Sequence, residues 1–184
     1  MHKTLKTSLF ALVLGLGAGS AVLAANPMVG GAAMYPTKNI IENAVNSKDH
    51  TTLVAAVKAA GLVDTLEGPG PFTVFAPNNK AFAALPAGTV DTLLEPQNKA
   101  KLTGVLTYHV VPGTLTVEDL RAKASAAGGV ATLTTVNGET LTVQAKGNSV
   151  YVGDKEGRNA LIVIPDVMQS NGVIQGVDTV LLPM

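Results

Sequence analysis

The 184-residue sequence contains no cysteine and no tryptophan. The absence of cysteine excludes disulfide bonds, thiol nucleophiles and cysteine-ligated zinc. Three tyrosines and four phenylalanines make up the aromatic residues. The core must therefore be built mainly from valine, leucine, isoleucine and alanine, and apolar burial must hold it together without covalent cross-links.

An excess of charge of either sign is also missing, because 13 lysines and arginines balance 13 aspartates and glutamates. Nucleic-acid binding needs a clustered basic excess, so we expect no nucleic-acid partner. The sequence has one long apolar run, at the N-terminus, and it is too short to span a bilayer. We expect no transmembrane segment once this run has been removed.

The N-terminus has the pattern of a secretory signal peptide. Lys3 and Lys6 precede the apolar run LFALVLGLGAG, and Val22 and Ala24 fit the small-residue pattern before a cleavage site. We expect residues 1–24 to be removed, leaving a secreted or periplasmic protein. Two of the 13 basic residues lie in this segment, so the mature side-chain charge would be 11 − 13 = −2.

Composition divides the remaining chain into two parts. Residues 25–38 contain glycine, proline and small residues without periodicity, which is typical of a flexible leader. Residues 39–184 are long enough for one domain with a sizeable core, and they contain no internal repeat of useful length. We therefore expect a single domain over this range.

Helical patterns fill the first half of this domain. Leu53, Val57 and Ala60 recur at helical spacing before Gly61, a residue suited to a helix C-terminus. A short buried strand is expected at 72–76. Further helices are predicted at PNNKAFAALP with Asn78 as N-cap, at GTVDTLLE, at NKAKLTGVL, and at TVEDLRAKA with Thr116 and Asp119 as cap residues.

Strand patterns fill the second half. Alternating residues flank Asn137-Gly138 in TLTTVNGETLTV, which is a strong hairpin signal. A second hairpin is expected around GDKEGRN, and GVIQGVDTVLL would form the last strand. Helices early and strands late predict an α+β fold with a largely antiparallel sheet or sandwich.

Enzyme motifs are absent from the sequence, which has no GxSxG, no GxxxxGK[ST] and no His-Glu-x-x-His pattern. Four serines follow the signal segment, and none lies in a recognisable nucleophile turn. Asp154, Glu156 and Arg158 are expected at a solvated hairpin tip. We expect no catalytic residue, no metal site and no cofactor. A hydrolase would require a serine, a histidine and a carboxylate to converge in space.

His109 lies among apolar neighbours in the stretch LTYHVV. Such a histidine usually stays neutral and forms hydrogen bonds inside the core. We therefore interpret His109 as a structural core residue, and pH sensing, ligation or catalysis remains the alternative.

Three ordered stretches resemble the fasciclin (FAS1) domain family: TVFAPNNKAFAALP (73–86), LTYHVV (106–111) and IPDVMQSNGVIQGVDTVLLP (164–183). The resemblance covers nearly all of the chain after the signal segment, and single-domain bacterial members are the most similar in size. It implies a β-sandwich wedge with a layer of short helices. It also implies a secreted or surface protein that mediates adhesion, without a catalytic mechanism.

The resemblance draws attention to two motifs. Tyr108 and His109 match a Tyr-His pair of the family, and Pro165, Asp166, Val167 and Met168 match its Asp-Ile motif with valine in place of isoleucine. Both motifs are implicated in integrin binding in some animal members. The plain alternative is structural, with Asp166 accepting hydrogen bonds from the backbone of its own turn.

The sequence departs from the family where many members have histidine, since Gln175 stands there, followed by Gly176. Glutamine forms hydrogen bonds but does not titrate near neutral pH. Glycine in a strand marks a bulge or a close backbone contact.

Together these features predict a monomeric secreted module that binds a protein or glycan on cells, matrix or envelope. The alternatives are a periplasmic or envelope structural protein and a binder of a small apolar ligand.

Overall fold

The structure, a computed structural model, describes residues 26–184 and shows an α+β fold. The expected signal peptide lies outside the described residues. The seven α-helices of this part of the chain are α1 (Ile40–Ala44), α2 (Thr51–Ala60), α3 (Val63–Glu67), α4 (Asn79–Ala83), α5 (Thr89–Leu94), α6 (Lys99–Tyr108) and α7 (Val117–Ala126). The nine strands of the same part are β1 (Met28–Val29), β2 (Ala32–Ala33), β3 (Phe72–Pro77), β4 (Val110–Pro112), β5 (Val130–Thr134), β6 (Thr140–Lys146), β7 (Ser149–Gly153), β8 (Asn159–Gln169) and β9 (Gly172–Val177).

Seven strands form one sheet in the order β4-β3-β9-β8-β7-β6-β5. All neighbours are antiparallel except β3 and β9, which run parallel from Phe72 opposite Gly172 to Pro77 opposite Val177. Beyond β5, the Val136 N–H donates to the Val110 carbonyl at 2.8 Å and ties the two ends of the sheet together. The predicted fold class, with helices mainly first and a largely antiparallel sheet, is confirmed.

Local sequence signals explain most of the element boundaries. Gly61 ends α2 with φ of 72°, a conformation that glycine adopts without strain. Asn78 caps α4 through its side chain, and Thr116 and Asp119 form a reciprocal capping box on α7. Gly138 has φ of 87° in the turn that joins β5 to β6.

Residues 26–38, which we expected to form a flexible leader, contain a short hairpin in the structure. β1 and β2 form a short hairpin, closed by the Met34 N–H donating to the Pro27 carbonyl at 2.9 Å. Val29 and Met34 are buried against the helices. Burial of these two side chains favours an ordered segment, although strands of two residues show no periodicity in the sequence.

Two hydrophobic clusters form the core. The first lies between the early helices and the β3–β9 end of the sheet, and it includes Ile41, Leu53, Val57, Val74 and Ile174. The second lies inside the β5–β8 part of the sheet beneath α7, and it is built from residues such as Phe75, Tyr108, Leu120, Leu141 and Val152. Among the described residues, no helix is both long enough and apolar enough to cross a membrane.

Candidate functional site

His109 is a fully satisfied core histidine. It follows the last turn of α6 and is 2% exposed. Its Nδ1–H donates to the Val105 carbonyl at 2.8 Å, and its Nε2 accepts from the Leu181 N–H at 3.0 Å. These two bonds fix the neutral tautomer, because a protonated Nε2 would face another N–H. Burial lowers the pKa of His109 to about 4, although the Val105 carbonyl and the charge of Asp154 act in the opposite direction.

Tyr108 is equally inaccessible from outside. Its ring is fully buried in the second cluster. Its hydroxyl donates to the Thr140 carbonyl at 2.9 Å, which links α6 to β6. The predicted Tyr-His motif therefore supports the fold from inside, and neither side chain can contact a partner in this structure.

Asp166 lies within β8 and not in a separate turn. It has φ of 53°, and no other non-glycine residue of the described chain has a positive φ. Its Oδ1 accepts from the backbone N–H of Val117 at 2.8 Å, at the start of α7. The predicted bonds to the backbone of its own segment are wrong, since this partner is 49 residues away. A carboxylate at this position also complements the positive end of the α7 dipole.

Gln175 holds Asp166 in place from the neighbouring strand. The Gln175 amide donates to Asp166 Oδ1 at 2.8 Å, and its oxygen accepts from the Asp166 N–H at 2.9 Å. The same amide donates to the Leu115 carbonyl at 3.0 Å. All of these bonds require a side chain with both a donor and an acceptor, which is what glutamine provides.

Gly176 permits a close approach between β9 and β8. A Cβ atom at this position would lie 2.8 Å from the Cβ of Ile164. The register of β8 against β9 shifts on both sides of Ile164. The expectation of a bulge or close contact at Gly176 is confirmed, and the resulting bulge in β8 accommodates the unusual backbone of Asp166.

The Pro165–Met168 segment alternates between solvent and core. Val167 is 2% exposed and belongs to the first hydrophobic cluster. Pro165 is exposed, Asp166 is half-buried, and Met168 is 42% exposed. Val163, on the same strand, is also 42% exposed. β8 therefore presents an apolar strip to solvent, consisting of Val163, Pro165 and Met168, which we call the β8 strip.

The side chain of Asn171 forms hydrogen bonds only with backbone groups of distant segments. Its Oδ1 accepts from the Ile40 N–H at 3.1 Å, and its Nδ2 donates to the carbonyls of Leu66 at 2.7 Å and Gly68 at 2.9 Å. One side chain thus connects the β8–β9 turn to α1 and α3. The Asn-Gly pair in the third motif signals a turn, but these remote partners have no sequence signal.

The prediction of a solvated hairpin tip is wrong for Asp154. Asp154 is buried, and its carboxylate accepts from Arg158 Nη1 at 2.7 Å and from the Leu182 N–H at 3.2 Å. It also accepts from the backbone N–H groups of Glu156 and Arg158 at 3.0 and 2.9 Å. These bonds fix the hairpin against the C-terminal segment.

Catalytic geometry does not assemble around the histidines. Ser47 Oγ lies 2.9 Å from His50 Nδ1, but both side chains are buried. A triad needs a carboxylate on the second ring nitrogen, and His50 Nε2 has no hydrogen-bond partner in the described structure. Among residues 26–184, no group of three or more His, Asp or Glu side chains could hold a metal ion.

The sequence is similar to known proteins over most of its length. A family model of the fasciclin domain matches residues 48–183. Protein sll1483 of Synechocystis sp. is 49% identical over 156 residues, which cover 85% of this chain and 79% of that protein. The cell surface glycolipoprotein MPB83 of Mycobacterium bovis is 36% identical over 169 residues, which cover 91% of this chain and 66% of that protein.

A solved structure supports the fold independently. The FAS1 domain pair from the insect cell adhesion molecule fasciclin I superposes with a TM-score of 0.71 at 18% identity, covering 79% of this chain and 51% of that chain. At this identity, the similarity concerns the fold. The match to the family model and the 49% identity with protein sll1483 show that the chain belongs to the fasciclin domain family.

Proposed function

We propose that the protein is an exported, non-catalytic adhesion module that binds its partner through the β8 strip. Fasciclin domains are linked to cell adhesion in eukaryotes and to surface proteins in mycobacteria. The observation that carries the proposal is the exposure of Val163, Pro165 and Met168 beside the half-buried carboxylate of Asp166.

The contacts beneath the β8 strip support its use as a recognition surface. Val167 anchors the strand in the core, and Gln175 fixes Asp166 by two hydrogen bonds. A rigid surface loses little conformational entropy when it binds a partner. The strip therefore combines apolar side chains with one charged group in a fixed arrangement, as the centre of a protein interface does.

The chemistry of the strip favours a protein partner, and a glycan is the alternative. Methionine, valine and proline offer apolar contact and no hydrogen-bond donor for sugar hydroxyls. The balanced charge of 13 basic and 13 acidic residues gives nucleic acid no electrostatic surface. No cofactor takes part in this proposal, and the protein acts as a monomer.

Export is a separate part of the proposal. It rests on the signal-like pattern of residues 1–24, with Ala24 before the cleavage site. Intact-mass analysis of protein recovered outside the cytoplasm is expected to show the loss of these 24 residues. A retained N-terminus would contradict cleavage and would favour an anchored protein.

The test of adhesion is a binding titration of purified protein on cells, matrix proteins and a glycan panel. Met168→Gln is the test variant and Val130→Gln is its control, since Val130 is 47% exposed at the far edge of the sheet. Asp166→Ala is a poor probe because it also removes the contact with α7. Circular dichroism confirms that both variants fold.

We expect saturable binding that Met168→Gln weakens by about tenfold, as the loss of an apolar anchor would. Val130→Gln is expected to bind like the original protein. Equal binding by both variants would place the adhesive surface elsewhere. No saturable binding on any surface would overturn the adhesive role and favour a structural role in the envelope.

A further inference from the structure

An apolar cavity lies in the first hydrophobic cluster, beneath α1 and α2. Its volume is about 50 Å³. Its walls are almost entirely apolar and include Ile41, Leu53, Val57, Val74 and Ile174. It is distinct from the β8 strip, which lies on the outer surface of the sheet.

His50 lines this cavity and brings an unpaired polar group to it. The residue is 4% exposed, and its Nδ1 lies 2.9 Å from Ser47 Oγ. Its Nε2 is the one buried side-chain nitrogen or oxygen without a hydrogen-bond partner among the described residues. His109 also reaches the cavity wall, but both of its nitrogens are occupied. His50 therefore supplies what the wall otherwise lacks, a free polar atom.

The contact with Ser47 is compatible with a hydrogen on Nε2 of His50. In the described structure the Ser47 side chain has no hydrogen-bond partner besides His50 Nδ1. When the Ser47 hydroxyl donates to Nδ1, the ring hydrogen of the neutral imidazole resides on Nε2. Burial lowers the pKa of His50, so the ring is neutral, although the Asp49 charge and the Ala76 carbonyl act in the opposite direction. The Ala76 carbonyl is not in hydrogen-bond geometry with Nε2, which stays without a partner. In this tautomer a neutral N–H donor at Nε2 faces the cavity.

Water is a poor occupant for this space. A volume of about 50 Å³ has room for about three or four water molecules. Each buried water needs two to four polar partners, and the walls offer little beyond His50. An apolar molecule with one acceptor atom matches these walls better, because it leaves neither the N–H group nor its own oxygen unpaired.

The cavity has an opening through which a small molecule can enter. Ala44, Val54 and Val63 line it and are half-buried, and the exposed Lys58 lies at its rim. These four residues belong to α1, α2 and α3, so the opening lies between the short helices and not through the sheet. Small movements of short helices can widen it.

We propose that this cavity binds a small, uncharged, mostly apolar molecule whose single carbonyl or hydroxyl oxygen accepts a hydrogen bond from Nε2 of His50. The proposal is independent of the adhesive role. A ligand in this position stabilises the packing of α1 and α2 on the sheet, because it fills space and pairs the buried donor.

The test compares acetone with 2-methylpropene, two small molecules of similar shape of which one has a carbonyl oxygen. Each is titrated into the protein while the methyl NMR signals of Ile41, Leu53 and Val57 are followed. We expect both probes to shift these signals, with acetone binding about three to ten times more tightly because of one hydrogen bond. In His50→Leu this preference should disappear.

A second measurement needs no variant. Long-range ¹H–¹⁵N spectra of the unmodified protein report the tautomer of His50, and we expect hydrogen on Nε2. Hydrogen on Nδ1 would overturn the donor assignment. The proposal would also be overturned by unshifted cavity signals at saturating probe, by equal binding of the two probes, or by a preference that persists in His50→Leu.

Discussion

Acid should destabilise this protein well above the pH at which its carboxylates titrate, and His109 is the reason. In the folded protein the imidazole is neutral because it is buried and because its Nε2 must accept the Leu181 N–H. In the unfolded chain the same imidazole titrates near its ordinary pKa of 6.5. Between these values the unfolded state binds a proton that the folded state does not, so stability falls as the pH falls.

The size of the effect follows from the two pKa values. The pKa of His109 drops from 6.5 to about 4 on folding. At about 1.4 kcal/mol per pH unit, the full loss is about 3 kcal/mol once the pH is below both values. Between about pH 7.5 and about pH 5 the free energy of unfolding should fall by about 2 kcal/mol. The lowered pKa of His50 acts in the same direction.

Urea unfolding at about pH 7.5 and about pH 5 measures this loss, because this range lies above the ordinary pKa values of Asp and Glu. His109→Gln is the control, since glutamine offers an acceptor but does not titrate. We expect the variant to be less stable at neutral pH and much less sensitive to pH. Equal unfolding free energies of the original protein at both pH values would refute the reasoning. An equal loss in His109→Gln would refute the assignment to His109, and an NMR titration of its ring checks the pKa directly.

Three further substitutions test other contacts by chemical denaturation. Asn171→Ala removes three hydrogen bonds, two of them buried, and should cost about 2–4 kcal/mol; a loss below about 1 kcal/mol would contradict the role of this side chain. Gly172→Ala would place a Cβ atom 1.9 Å from the Phe72 carbonyl oxygen and should cost roughly 3 kcal/mol or more. Gly104→Ala, in α6 with open space at the Cβ position, should instead stabilise by about 1 kcal/mol; a loss there would contradict the local geometry.

Local chemistry made much of the fold predictable from the sequence. Asn78 and Thr116 cap helices, and Gly61 ends one, because each residue type satisfies a backbone requirement of its own neighbourhood. The Asn137-Gly138 turn is of the same kind. The β1–β2 hairpin could not be predicted, because the burial of Val29 and Met34 depends on helices that follow them in the chain.

The candidate site was less predictable because its contacts join distant parts of the chain. The core position of His109 follows from its apolar neighbours, but its acceptor bond involves Leu181, 72 residues away. A half-buried aspartate is expected to accept hydrogen bonds, but no residue near Asp166 in the sequence indicates that the donor is the Val117 N–H at the start of α7. The sequence also could not predict that His50 Nε2 lacks a hydrogen-bond partner, because this results from packing around a cavity.

The position of β9 has a consequence for the order of folding. β9 lies between β3 and β8, so the last strand of residues 26–184 is an interior strand of the sheet. Its parallel partner, β3, begins at Phe72, which pairs with Gly172. An N-terminal fragment that lacks β9 leaves an unfilled gap in the sheet and leaves His109 without its Leu181 partner. The native sheet therefore closes only after residues 172–177 have been synthesised, and contacts of such high sequence separation slow folding.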